Sequence, residues 1–322
     1  MLEDGYGRRF SYLRLSITDV CNFRCSYCLP DGYQCNSDRE FLSLKEIANT
    51  LSAFAGLGTT KVRLTGGEPS LRRDLPDIIA LAAATSGIQQ VAITTNGFKL
   101  PQLVEDWFSA GLSSLNVSID SLDARLFHSI TGQDKLHTLL EGVHKALALG
   151  LNTKVNAVLL KPCGDSQLSS FLKWLKDVPV TLRFIELMQT GSNLEFFKQN
   201  HVSAQPVKAR LLQQGWVQVL RDKTSGPAEE FSHPDYAGRI GLIMPYSPGF
   251  CSSCNRLRVS ALGQLHLCLF AEQGLDLRPV LSLGSIEEIQ QQLMELINQK
   301  KISHQLGSGF TGATQQFSML GG

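Results

Sequence analysis

Six short runs rich in apolar and β-branched residues alternate with segments of helical character: "YLRLSI" from residue 12, "KVRLTGG" from 61, "QVAITTNG" from 90, "SLNVSID" from 114, "TKVNAVLL" from 153 and "TLRFIEL" from 181. No other feature restricts the fold as strongly. Strand–helix alternation repeated this often sets the strands parallel in one sheet, with the helices packed against one of its faces. The helices carry their own start signals. Ser43 stands three residues before Glu46, as in a capping box, and Pro101 opens "PQLVEDWFSAG", which stops on Gly111. No Gly-x-Gly-x-x-Gly turn follows the first run, so the expected fold is α/β, an incomplete TIM barrel of about six βα units. In such a barrel the chemistry sits where strands end, so "TGGEP", "TTNG", "SID" and "ELMQTG" are expected around one mouth.

The rhythm breaks after residue 190. Residues 1–190 are therefore read as the partial barrel and 191–322 as a carboxy-terminal extension. Within the extension, "TSGPAEEFSHPDYAG" reads as a loop-rich excursion, "GSIEEIQQQLMELINQKK" as an amphipathic helix and "QQFSMLGG" as a glycine-ended tail. Thirty basic against 29 acidic residues leave a net charge of +1, which gives no field to draw nucleic acid or an anionic membrane. No apolar run approaches the roughly 20 residues that span a bilayer, and "MLEDGYGRRFSYLRL" lacks the apolar core of a secretory signal. A cytoplasmic protein is expected. Eight cysteines in such a chain point to metal binding or catalysis, because reducing compartments keep thiols free.

Cys21, Cys25 and Cys28 fall just after the first strand. Three thiolates can hold three irons of a four-iron cube and leave the fourth iron open to a small molecule. A structural zinc would need a fourth ligand, for which Cys35 is the nearest candidate. A second triad, Cys251, Cys254 and Cys268, repeats the pattern. Its near candidate for a fourth ligand, His266, alternates with Leu265 and Leu267 and is expected to face away from Cys268 or toward solvent. Cys35 and Cys163 lie outside both triads and read as buried or incidental thiols. Arg256 and Arg258 alternate on one extended run, so both point to one face. With Arg14, Arg63 and Lys154 they would make a cationic cavity suited to a polyanion such as a nucleoside triphosphate.

The spacing Cys-x-x-x-Cys-x-x-Cys, with Tyr27 before the last cysteine, resembles the radical S-adenosylmethionine (SAM) superfamily. Together with "KVRLTGGEP", "TTNG", "RFIELMQTG", "CNRLRVSALGQLHLCLF" and Gly321-Gly322, the chain looks like the branch that cyclises GTP in molybdenum-cofactor biosynthesis. The resemblance implies two [4Fe-4S] clusters and SAM as cofactors. Cys21, Cys25 and Cys28 would hold the catalytic cluster, and Cys251, Cys254 and Cys268 a second one that engages the guanine base. It further implies Tyr27, Gly67, Glu68, Ser118 and Met188 as cofactor contacts, with Gly66 beside them. Arg14, Arg63, Thr94, Lys154, Arg256, Leu257 and Arg258 would bind GTP, with Arg256 and Arg258 also acting catalytically. An adenosyl radical would take the ribose 3′ hydrogen so that the carbon radical attacks C8 of guanine. Implied partners are a low-potential electron donor such as a flavodoxin, the next enzyme of the pathway and a second copy in a homodimer. Val20 and Gln315 or Gln316 stand where this branch commonly has arginine. A radical enzyme acting on a peptide, or a non-enzymatic electron carrier, are the alternatives; the arginine pair and the six βα units weigh against them.

Overall fold

The computed structural model describes residues 1–34, 39–161, 164–220 and 226–321, without the side chains of 164–166. Cys35, Cys163 and Gly322 lie outside the described residues. All six expected strands are present: β1 (Tyr12–Thr18), β2 (Lys61–Gly66), β3 (Gln90–Thr95), β4 (Ser114–Ser118), β5 (Asn152–Leu159) and β6 (Thr181–Glu186). They pair in sequence order and in parallel, with helices between them, as an incomplete barrel requires.

The extension builds onto both flanks of this sheet. It contributes β7 (Val217–Gln218), β8 (Glu229–Ser232), β9 (Arg239–Ile243), β10 (Arg256–Val259), β11 (Gln264–His266) and β12 (Leu275–Asp276). β9 lies parallel beside β6, and β8 and β7 follow it antiparallel. β10 lies parallel beside β1, followed antiparallel by β11 and β12. The twelve described strands thus form a single sheet. The excursion "TSGPAEEFSHPDYAG" is not all loop, since it contains β8. Its flanking Gly, Pro and Asp residues hide a four-residue strand that pairing with β9 stabilises.

Alternation along the strands separates the two faces. Leu13, Leu15, Val62, Leu64, Leu115, Val117, Val155, Leu182 and Leu257 are buried under the helices. The opposite positions, including Arg14, Arg63, Asn116, Asn156, Arg183, Arg256 and Arg258, turn into the lumen. The helix Leu44–Gly56 starts with the expected Ser43–Glu46 capping box, and Ile286–Leu296 starts with a second, Ser285–Glu288. Among the described residues no helix is long and apolar enough to cross a membrane. The amino-terminal segment braces the extension, because the buried Arg8 pairs with Asp4 and donates to the carbonyls of Cys251, Lys301 and Ile302.

Candidate active site

The first triad sits on the loop leaving β1. The amides of Cys28 and Leu29 both donate to the Cys25 carbonyl at 2.9 Å, which makes the turn that brings the thiols together. Arg24 and Ser26 tie the loop to Thr131 and Ile130 at the end of the helix Ala124–Thr131. Burial pushes the Cys21 thiol up to about 11 and Cys28 to about 12, and it raises Cys25 as well, with Asp120 adding to the effect. These thiols would ionise only against a bound cation, which fits a metal cluster. Among the described residues no three His, Cys, Asp or Glu side chains close into a cage for a single ion.

Gly66 and Gly67 are required by close approach of the chain to itself. A Cβ on Gly66, whose φ is +129°, would stand 1.8 Å from the Thr18 carbonyl oxygen, and one on Gly67 would stand 2.2 Å from that of Val20. Both glycines also line the cavity over the first triad. Glu68 differs from the expectation of a cofactor contact. It is fully buried, and its carboxylate accepts from the amide of Ser70, the hydroxyl of Thr95 and the amide of Asn96. It braces the ends of β2 and β3 instead of facing the cavity. Tyr27, Ser118 and Met188 do line that cavity, together with Thr94. Asp120, which was not singled out in the sequence, lines it too. Its carboxylate accepts from the Tyr27 hydroxyl and the Val158 amide at 2.9 Å each, and burial holds it up at about 6.

The second triad stands across the lumen. Cys251, Cys254 and Cys268 border the inner cavity on one side and a more outward cavity, containing Lys300, Lys301 and Gln305, on the other. Burial raises these thiols, yet at Cys251 contacts with His304 outweigh it and bring the thiol down to about 6. At Cys254, Arg256 and Lys300 lower it likewise. His266 is buried and lines neither of the cavities at the triad.

Arg14, Arg63, Arg256 and Arg258 all face the inner cavity, as the alternation predicts, and Met188 and Asn156 connect it to the first. Leu257 points the other way into the core, which leaves only its backbone to meet a substrate. The tail enters the same space: the Gly321 carbonyl accepts from Arg14 at 2.6 Å and Arg258 at 2.7 Å. Lys154 sits apart, in a lower cavity that shares Lys61 and Arg183 with the inner one. Lys61 and Arg183 went unnoticed in the sequence, although each follows the same two-residue alternation as Arg63. The cations pull on Tyr12: burial raises its phenol, but Arg63, Arg14 and Lys61 together bring it down to about 6. Asn116 Oδ1, Asn156 Oδ1 and Arg183 Nε are buried without a protein hydrogen-bond partner, as expected of a lumen that holds a polar ligand.

The sequence and the fold both have counterparts among known proteins. Residues 15–175 match the family model of the radical SAM superfamily, and residues 180–306 match that of Molybdenum Cofactor Synthesis C. A protein of Tolumonas auensis named GTP 3′,8-cyclase is 55% identical over 324 residues, spanning 100% of this chain and 96% of the relative. One of the same name from Aeromonas hydrophila is 53% identical over 328 residues, again spanning 100% of this chain and 96% of the relative. Among solved structures, Streptococcus suis SuiB bound to S-adenosylmethionine superposes with a TM-score of 0.63 at 12% identity, over 90% of this chain and 68% of that one. Methylornithine synthase gives a TM-score of 0.50 at 19% identity, over 64% of this chain and 63% of its own. These structural likenesses carry the fold.

Proposed function

We infer the roles of individual residues from one premise: this chain belongs to the GTP 3′,8-cyclase family, the radical SAM enzymes that cyclise GTP in molybdenum-cofactor biosynthesis. S-adenosylmethionine and an iron–sulfur cluster are its cofactors, and GTP is its substrate. The finer reading is that each cysteine triad holds its own [4Fe-4S] cluster. One observation carries it: two incomplete thiol sets open onto one connected lumen, and the wall between them is cationic.

On this reading Cys21, Cys25 and Cys28 hold the cluster beside S-adenosylmethionine, with Tyr27, Gly67, Ser118, Met188 and Asp120 around the cofactor. Cys251, Cys254 and Cys268 hold the second cluster at the far wall, where the guanine base is anchored. Arg14, Arg63, Arg256 and Arg258 orient the nucleotide, and Lys61, Lys154 and Arg183 at the lower end take its phosphates. Thr94 accepts from Arg63 at 3.2 Å and so positions that guanidinium. When bound, the first cluster and S-adenosylmethionine supply one-electron C–S cleavage and removal of a ribose hydrogen. The chain's contribution is to fix both ends of the substrate so that a single C–H bond faces the cofactor, and to keep water out. A low-potential one-electron donor such as a flavodoxin and the next enzyme of the pathway are the partners this chemistry calls for.

The test is incubation of the reduced, oxygen-free protein with GTP and S-adenosylmethionine. The removed hydrogen leaves on the adenosyl group, and one electron and one proton restore the count, so the nucleotide product has the mass of GTP. The expected result is equal amounts of 5′-deoxyadenosine and of a chromatographically distinct isomer of GTP. Formation of 5′-deoxyadenosine with GTP recovered unchanged would overturn the assignment of the lumen to GTP.

A further inference from the structure

Glu230 is the one carboxylate among the described residues lining the inner and lower cavities, where lysines and arginines predominate. It occupies the middle of the cationic cluster. Its Oε1 lies 3.1 Å from Arg183 Nη2 and 3.5 Å from Lys154 Nζ. Register explains the meeting. Arg183 on β6 and Glu230 on β8 both pair with Gly241 of the intervening β9, and the missing side chain there lets the two reach each other across it. Glu229, its neighbour, instead pairs with Lys208 at 2.7 Å. Arg183 spends Nη2 on Glu230 while its Nε stays buried without a protein partner, so the guanidinium keeps donor capacity for an incoming anion.

We propose that Glu230 is an internal stand-in for the substrate's terminal phosphate. It offsets one of the two positive charges of Arg183 and Lys154 in the free enzyme, gives way when a phosphate arrives, and thereby sets how strongly the site distinguishes nucleotides by phosphate number. The proposal rests on the reading of the lumen as a GTP site. Physically, a carboxylate and a phosphoryl oxygen compete for the same two cations, and the like charges repel across a partly desolvated cavity. Removing the carboxylate removes the competitor. It should favour the longest phosphate chain most, because only that chain reaches the pair.

The experiment is anaerobic calorimetric titration of the cluster-loaded protein with GTP, GDP, GMP and inorganic triphosphate. Wild type is compared with Glu230→Gln and Glu230→Ala, with thermal melts confirming that each variant is folded. We expect GTP to bind both variants roughly tenfold more tightly, GDP to gain less and GMP to be unchanged, the size expected of one partly buried ion pair. Unchanged or weaker GTP affinity in the folded variants would overturn the proposal and leave the cyclase reading intact. If GTP fails to bind even the wild type while triphosphate binding tightens in the variants, the role of Glu230 stands and the GTP assignment falls.

Discussion

At Lys154 burial, reinforced by Arg183, pulls the ammonium down to about 8. The charged form is present below that pH and disappears above it, so its attraction for phosphate is lost as pH rises. GTP affinity should therefore fall by up to roughly tenfold between pH 7 and 9, and Lys154→Met should flatten that limb in a pH series of binding titrations; an equally steep limb in the variant would contradict the assignment. Arg14, Arg63, Arg256 and Arg258 were legible in the sequence because a charge alternating with buried apolar residues on a strand has only the lumen to enter. Asp120 and Glu230 were not, because their importance depends on which strands become neighbours; Lys61 and Arg183 alternate as Arg63 does and were passed over. The burial of Glu68 was not legible for a related reason, since it depends on the end of β3 closing over its carboxylate.

At the scale of elements, β10 does two things at once: it extends the sheet beside β1, and through Arg258 it grips the tail at the carbonyls of Leu320 and Gly321. Replacing Arg258 with Ala should loosen the tail, because a hydrogen bond to a charged group contributes about 1.5–3 kcal/mol. Hydrogen exchange followed by mass spectrometry should show faster exchange in the peptide spanning residues 310–321 and little change in β4 or β5; unaltered exchange in that peptide would show that Arg258 does not hold it. The six βα strands were readable almost to the residue because their apolar runs, though short, span five to eight residues and are bounded by turn residues. β7, β8 and β12 were not, being two to four residues long and defined only by the partner they pair with.

For the molecule as a whole, the two triads occupy opposite electrostatic surroundings. Asp120 and Glu68 lie near the first, and Arg256 and Lys300 near the second. Reconstituted protein should carry about eight irons, the sum of two four-iron clusters. Changing Cys251, Cys254 and Cys268 together to Ala should leave about four irons, with S-adenosylmethionine cleavage retained and GTP cyclisation lost. Iron and sulfide analysis with assay of 5′-deoxyadenosine checks this, and eight irons in the triple variant would refute the second site. The barrel could be read from the sequence, but its completion from both sides could not, since nothing in a linear pattern says which end of a sheet a late strand will join.

That two-sided completion has a bearing on biosynthesis. When the ribosome has released only the first 190 residues, β1 and β6 each present an unpaired row of backbone amides and carbonyls, an invitation to stray association. One flank closes when β9 emerges, and the other waits for β10, so the nascent chain stays sticky until it is about four-fifths made.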